Sequence, residues 1–176
     1  MHIVVYCGSA AGADPDCVAA AAELGARIAK GGHTLVYGGG SVGMMGAVSD
    51  AALGGGARVI GVIPEFMFER DWAHPDVAEM IVTKDMHERK ARMLDLGDIY
   101  IALPGGFGTL EEISEAISWT GLGLIPGSCF FVNTNGYYDD IKAFFETVKS
   151  SGYIREGNAA GIGFVDTIDE LFIKIG

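Results

Sequence analysis

The chain has 176 residues, enough for one domain with its own buried core, and 49% of them are hydrophobic. Its 12 basic and 23 acidic residues leave a net charge of −11, which argues against a general nucleic-acid binder and against docking on an anionic membrane. Cys7, Cys17 and Cys129 are odd in number and widely spaced, without a CxxC pair, and no apolar run reaches membrane-span length; reduced thiols in a cytoplasmic protein are expected.

His2 to Cys7 reads as a strand, followed by the loop Gly8-Ser9-Ala10-Ala11-Gly12. Asp14 and Pro15 supply an N-cap and a first-turn proline for a helix to about Lys30. Thr34 to Tyr37 predicts a second strand that ends in Gly38-Gly39-Gly40. A helix from about Gly43 to Leu53 stops at Gly54-Gly55-Gly56, and Arg58 to Ile63 is a third strand. Pro64 to about Val77 is irregular and rich in aromatic and acidic residues. The spacing then predicts a strand over Met80–Thr83, a helix over Asp85–Leu96, a strand over Ile99–Leu103 and a helix over Thr109–Leu122. A strand over Cys129–Val132, a helix over Tyr138–Ser150, a strand over Gly163–Val165 and a helix over Asp166–Ile173 complete the chain. Strands alternating with helices predict βαβ units, hence the α/β class: a doubly wound parallel sheet in a single domain spanning 1–176. Ligands of such sheets bind at the carboxyl ends of strands, where the glycine loops after Cys7, Tyr37 and Leu103 all fall.

The stretch Pro104-Gly105-Gly106-Phe107-Gly108-Thr109-Leu110-Glu111-Glu112 places a strand end, a glycine loop and a helix start together. Backbone N–H groups and the helix N-terminus there suit a phosphate, with a carboxylate one turn into the helix. Thr109-Leu110-Glu111-Glu112 also fits the T-x-x-E capping box, so Glu112 has two readings, a helix cap or a cleft carboxylate. Projection at about 100° per residue puts Leu110, Ile113 and Ile117 on the buried face, Glu112 at its margin beside Ala116 and Trp119, and Glu111 and Glu115 in solvent.

On the preceding helix, Met86, Met93, Leu94 and Leu96 form the apolar stripe, and Arg89 and Lys90 fall within it. A buried cation requires an anion. Arg89 and Lys90 therefore either meet structural carboxylates and water or point at the anion held by the glycine loop. Glu88 and Arg92 project outward as a solvent-side pair, and His87 lies near the stripe's edge, where partial burial is expected. Gly38-Gly39-Gly40-Ser41-Val42-Gly43 formally fits G-x-G-x-x-G, which makes a dinucleotide site a rival. That fingerprint belongs to the first βα turn, however, and this is the second; close packing is the simpler use of these glycines. No HExxH, clustered metal ligands or GxSxG elbow occurs.

Together, Cys7-Gly8-Ser9, Gly38-Gly39-Gly40-Ser41-Val42-Gly43-Met44-Met45-Gly46, Met86-His87-Glu88-Arg89-Lys90 and the Pro104–Glu112 segment resemble the Lonely Guy (LOG) family of cytokinin riboside 5′-monophosphate phosphoribohydrolases. The resemblance implies a Rossmann-like homodimer that needs no cofactor. Its substrate would be a nucleoside 5′-monophosphate, AMP or an N6-substituted relative, cleaved to free base and ribose 5-phosphate. It implies Arg89 and Glu112 as the catalytic pair. It places the 5′-phosphate on Gly105, Gly106, Gly108 and Thr109, and substrate contacts also at Gly8, Ser9, Gly39, Met86, Lys90, Phe107, Leu110 and Glu111. Phe66 to Pro75 and Trp119 are candidates for the base pocket, the dimer interface or the core. Some relatives carry an old label as lysine decarboxylases, for which the sequence offers no pyridoxal phosphate motif. A non-catalytic nucleotide carrier is the alternative. The family's frequent His-x-Lys-Pro segment is replaced here by Gly123-Leu124-Ile125-Pro126-Gly127-Ser128.

Overall fold

Strand side chains alternate between two faces, and in this chain both faces are apolar, so the sheet must be covered on each side. The computed structural model describes residues 1–154 and 161–176. Among the described residues there are seven strands: β1 (His2–Tyr6), β2 (Thr34–Tyr37), β3 (Arg58–Pro64), β4 (Glu79–Thr83), β5 (Ile99–Ala102), β6 (Cys129–Val132) and β7 (Ile162–Val165). All pair in parallel, in the order β4-β3-β2-β1-β5-β6-β7. Ile3 and Val5 of β1 face one core, with Leu35, Tyr37 and Ile101; Val4 and Tyr6 face the other, with Val36, Tyr100 and Ala102.

Helices α1 (Pro15–Lys30), α2 (Gly43–Gly54) and α7 (Ile168–Ile175) cover the first face through Leu24, Ile28, Val48 and Leu171. Helices α4 (Met86–Leu96), α5 (Phe107–Gly121) and α6 (Asp139–Ser150) cover the second through Met93, Leu94, Ile113, Ala116 and Phe145. The expected doubly wound parallel sheet is therefore what forms. Strand order reverses at β1, whose neighbours are β2 on one side and β5 on the other; the crevice at the ends of β1 and β5 is the switch point.

Local differences have local causes. The stretch read as irregular contains a one-turn helix, α3 (Glu65–Phe68), started by Pro64 in extended conformation. The closing helix begins at Ile168 rather than Asp166, because the Thr167 side chain accepts the Glu170 N–H at 3.2 Å and caps it. Helix α5 begins two residues earlier than expected, at Phe107, with Gly106 as its N-cap. His87 is exposed rather than half-buried: it stands in the first turn of α4, whose inward positions are Arg89, Met93 and Leu94. Glu88 does not serve as a solvent-side partner of Arg92; its carboxylate folds back to accept the Lys84 N–H at 2.9 Å.

The segment that departs from the family pattern is fixed by one backbone approach. Gly127 has φ +99°, and a Cβ there would lie 2.0 Å from the Asp98 carbonyl oxygen. Gly127→Ala should therefore lower stability by about 2 kcal/mol, read from urea unfolding; an unchanged midpoint would show that the β5–β6 connection yields freely.

Candidate active site

The site grows out of two helix starts and two strand ends. After β1, the Gly8 N–H donates to the Pro104 carbonyl at 3.2 Å, which ties the loop after β1 to the loop after β5. Gly105 has no room for a side chain: a Cβ would meet Thr109 Oγ1 at 2.1 Å and the Gly8 nitrogen at 2.8 Å. Two tyrosines brace this loop from below. Tyr138 donates its hydroxyl to the Leu103 carbonyl at 2.7 Å, and Tyr137 donates to that of Gly105 at 2.6 Å. The loop then turns into α5 without a side-chain cap, leaving the first-turn N–H groups of Phe107, Gly108 and Thr109 without helical acceptors. Open space lies where Cβ atoms of Gly106 and Gly108 would project. Helix α2 likewise has Val42 as its N-cap and no side-chain cap. Two positive helix ends thus open on one cavity.

That cavity has a volume of about 550 Å³. Cys7, Gly8, Ser9, Gly106, Gly108, Thr109, Glu111 and Glu112 line the switch-point side, and Gly38, Gly40, Ser41, Val42 and Met45 line the α2 side. Met86, Arg89, Ile63, Met67, Asp71 and Trp72 complete it.

Arg89 and Glu112 meet at its floor. Arg89 Nη1 donates to Glu112 Oε1 at 2.5 Å, and both side chains are nearly removed from solvent, 6% and 8% exposed. The guanidinium is fully oriented: Nε donates to the Val62 carbonyl at 2.9 Å, and Nη2 approaches that of Gly38 at 3.5 Å. Gly38 makes this possible, since a Cβ there would stand 2.3 Å from Arg89 Nη2. Burial pushes the Glu112 carboxyl above its ordinary value, and the Arg89 charge opposes that shift. Burial, with the Glu112 charge beside it, raises the neighbouring Cys7 thiol and Tyr6 phenol out of the physiological range. Neither is an ionised nucleophile at neutral pH.

Both members of the basic pair meet carboxylates, Arg89 that of Glu112 and Lys90 those of Glu111 and Glu115. Lys90 pairs with Glu111 and lies 3.1 Å from Glu115, on the flank of α4 and α5; the Glu111 hydrogen bond raises its ammonium. Lys90 does not line the cavity, nor do Gly39, Gly105, Phe107 and Leu110. Gly39 packs against Ile63 and Met80, Gly105 against Thr109 and Gly8, Leu110 packs half-buried on the core, and Phe107 is 92% exposed. The capping-box reading of Thr109 and Glu112 fails, because Gly106 is the cap and both residues are buried inside the helix. Glu112 lies within the buried face of α5, with Ile113 and Ala116, rather than at its margin. Sequence reasoning missed Ser41, Val42 and Met45 as cavity wall; the glycines flanking them were the available signal.

Residues 45–175 match the family model described as possible lysine decarboxylase. The chain is 44% identical over 174 residues to the cytokinin riboside 5′-monophosphate phosphoribohydrolase LOG of Oryza sativa subsp. japonica, covering 99% of this chain and 72% of that protein. It is 43% identical over 153 residues to LOG1 of Arabidopsis thaliana, which bears the same enzyme name, covering 87% of this chain and 72% of that one. The chain belongs to the LOG family. Among solved structures, the Moco carrier protein of Chlamydomonas reinhardtii matches with a TM-score of 0.77 at 22% identity, over 99% of this chain and 94% of that one, a likeness of fold alone. The decarboxylase description does not suit the site: pyridoxal phosphate chemistry needs a lysine amine in the pocket, and the lining includes none.

Loss of Arg89 would leave a buried carboxylate uncompensated. Arg89→Ala should cost about 3 kcal/mol in urea unfolding at neutral pH. The folded-state pKa of Glu112 lies above its unfolded value, so its favourable contribution is present below the unfolded pKa and lost as pH rises through the folded one. The penalty of the variant should accordingly shrink in acid, where Glu112 is protonated. A deficit independent of pH would contradict the pairing.

Proposed function

We propose that this LOG-family chain is a phosphoribohydrolase acting on AMP or N6-substituted adenosine 5′-monophosphates, releasing the free base and ribose 5-phosphate. The observation that carries the reading is the buried Arg89–Glu112 pair facing a cavity beside an uncapped helix start. The enzyme name shared by relatives 40–44% identical to it supports the same reaction. The pair also favours turnover over a carrier role, since a carrier needs no buried carboxylate at the sugar.

In this reading the 5′-phosphate rests on the first-turn N–H groups of α5, with Thr109 beside them, and that remote binding places the glycosidic bond over Glu112. As the bond between C1′ and the base nitrogen breaks, its electron pair leaves with the base and positive charge grows on the ribose. The Glu112 carboxylate stabilises that charge and takes a proton from the water whose oxygen bonds to C1′. Arg89 keeps the carboxylate ionised and aimed, and the departing base takes up a proton. Ser9, Ser41 and Met86 line the remaining walls around the substrate.

The exposed apolar side chains of Leu122 and Leu124, 70% and 65% exposed at the C-terminal end of α5, support the homodimer proposed from the family resemblance. The three cysteines are free and buried, which supports a cytoplasmic location; no helix among the described residues is long and apolar enough to cross a membrane.

Glu112→Gln should lower adenine release from AMP by about 10²-fold or more, followed by chromatography of the free base; a rate equal to the parent's would refute the assignment. In the parent, kcat/KM should fall on the acid side with a midpoint above the ordinary carboxylate value of 4.5. Arg89→Gln removes the charge that holds Glu112 down, so the residual activity should titrate at still higher pH. An acid limb that stays in place would assign it to another group.

A further inference from the structure

The far wall of the cavity belongs to a strap, residues 65–77, of which only His74 and Val77 are buried. His74 is 5% exposed and fastens the strap to the body at two points, Gly39 and Asp50. Its backbone N–H donates to the Gly39 carbonyl at 2.9 Å, next to an antiparallel bridge between Ala73 and Gly40. Its Nδ1 accepts the Asp76 N–H at 3.2 Å, so the ring hydrogen sits on Nε2, which donates to Asp50 Oδ1 of α2 at 2.9 Å. His74 does not itself line the cavity; Met67, Asp71 and Trp72, just before it, do. Asp71 adopts φ +57°, and the Arg70 guanidinium stacks 5.5 Å from the Trp72 ring. With the phosphate at the start of α5 and the ribose over Glu112, the Trp72 indole is the flat apolar surface left for the base.

We infer that His74 is a positioning residue for base recognition: by pinning the strap to the β2–α2 loop and to Asp50, it holds Trp72 and Asp71 against the base of the bound nucleotide. The inference rests on the nucleotide site proposed above and predicts a separation between the two halves of the substrate. Losing the pin releases the wall that meets the base and leaves the phosphate cradle, which shares no hydrogen bond with the strap among the described residues, as it was.

Calorimetry with AMP and with ribose 5-phosphate, which lacks the base, reads this separation. His74→Ala should weaken AMP about tenfold, roughly the loss of one hydrogen bond to a charged group, and change ribose 5-phosphate by less than about twofold. KM for AMP should rise with kcat nearly unchanged. His74→Gln, whose amide still donates to Asp50, should recover most of the affinity. In a Trp119→Phe background Trp72 is the sole tryptophan, and its quenching by iodide should increase in His74→Ala. Trp72→Ala, at a half-exposed position, should reproduce the AMP-selective loss even if His74→Ala fails to fold. Equal weakening of both ligands, or unchanged AMP affinity in either alanine variant, would overturn the inference. A parent that binds AMP yet releases no base would sink the hydrolase reading alone. A parent that binds no AMP would sink both.

Discussion

A guanidinium and a carboxylate buried against each other are the constraint around which this molecule is arranged. Neither Arg89 nor Glu112 has enough water to solvate its charge, so each depends on the other and on backbone carbonyls fixed by the sheet. Val62 lies within β3 and Gly38 directly follows β2, so the pair holds only while those strands stay in register. Gly38 must lack a side chain for the guanidinium to reach Glu112, and Arg89 must stand one turn inside α4 to reach both backbone carbonyls. Buried pairs seldom repay their desolvation. One kept open to a cavity therefore points to chemistry rather than to stability.

The electrostatics of the site are local. The chain carries a net charge of −11, yet its cavity is bounded by two uncapped helix starts, which present positive potential within a few ångströms. At physiological ionic strength, distant surface carboxylates are screened over about 8 Å, whereas backbone N–H groups in direct contact with a phosphate are not. An acidic protein can thus hold an anion, and the parallel sheet supplies the means by placing helix N-termini beside the carboxyl ends of its strands.

The fold was largely legible in the sequence because its punctuation is glycine and its strands are short apolar runs. Boundaries at Gly38–Gly40 and Gly54–Gly56 required no tertiary information. The site was legible in part. Arg89 stood out as a cation on an apolar stripe, and the Pro104–Thr109 loop as a glycine-rich turn into a helix start. Glu112 was ambiguous because T-x-x-E is also a capping signature; only the true start of α5 at Phe107 removes that reading. Lys90 shares the stripe with Arg89, and its pairing with Glu111 and Glu115 depends on how α4 and α5 cross, which periodicity does not encode. The strap was opaque for the same reason. His74 meets Asp50 across 24 positions of chain, and no local pattern marks that contact.

If Arg89 and Glu112 are buried for catalysis, replacing both by apolar side chains of similar volume should preserve the fold and abolish the reaction. The decisive measurement is adenine release from AMP by the Arg89→Met, Glu112→Leu double variant, at a concentration where urea unfolding shows it folded. Catalytic use of the pair predicts stability equal to or above the parent's and no adenine beyond the uncatalysed background. Adenine release at the parent's rate from the folded double variant would contradict it.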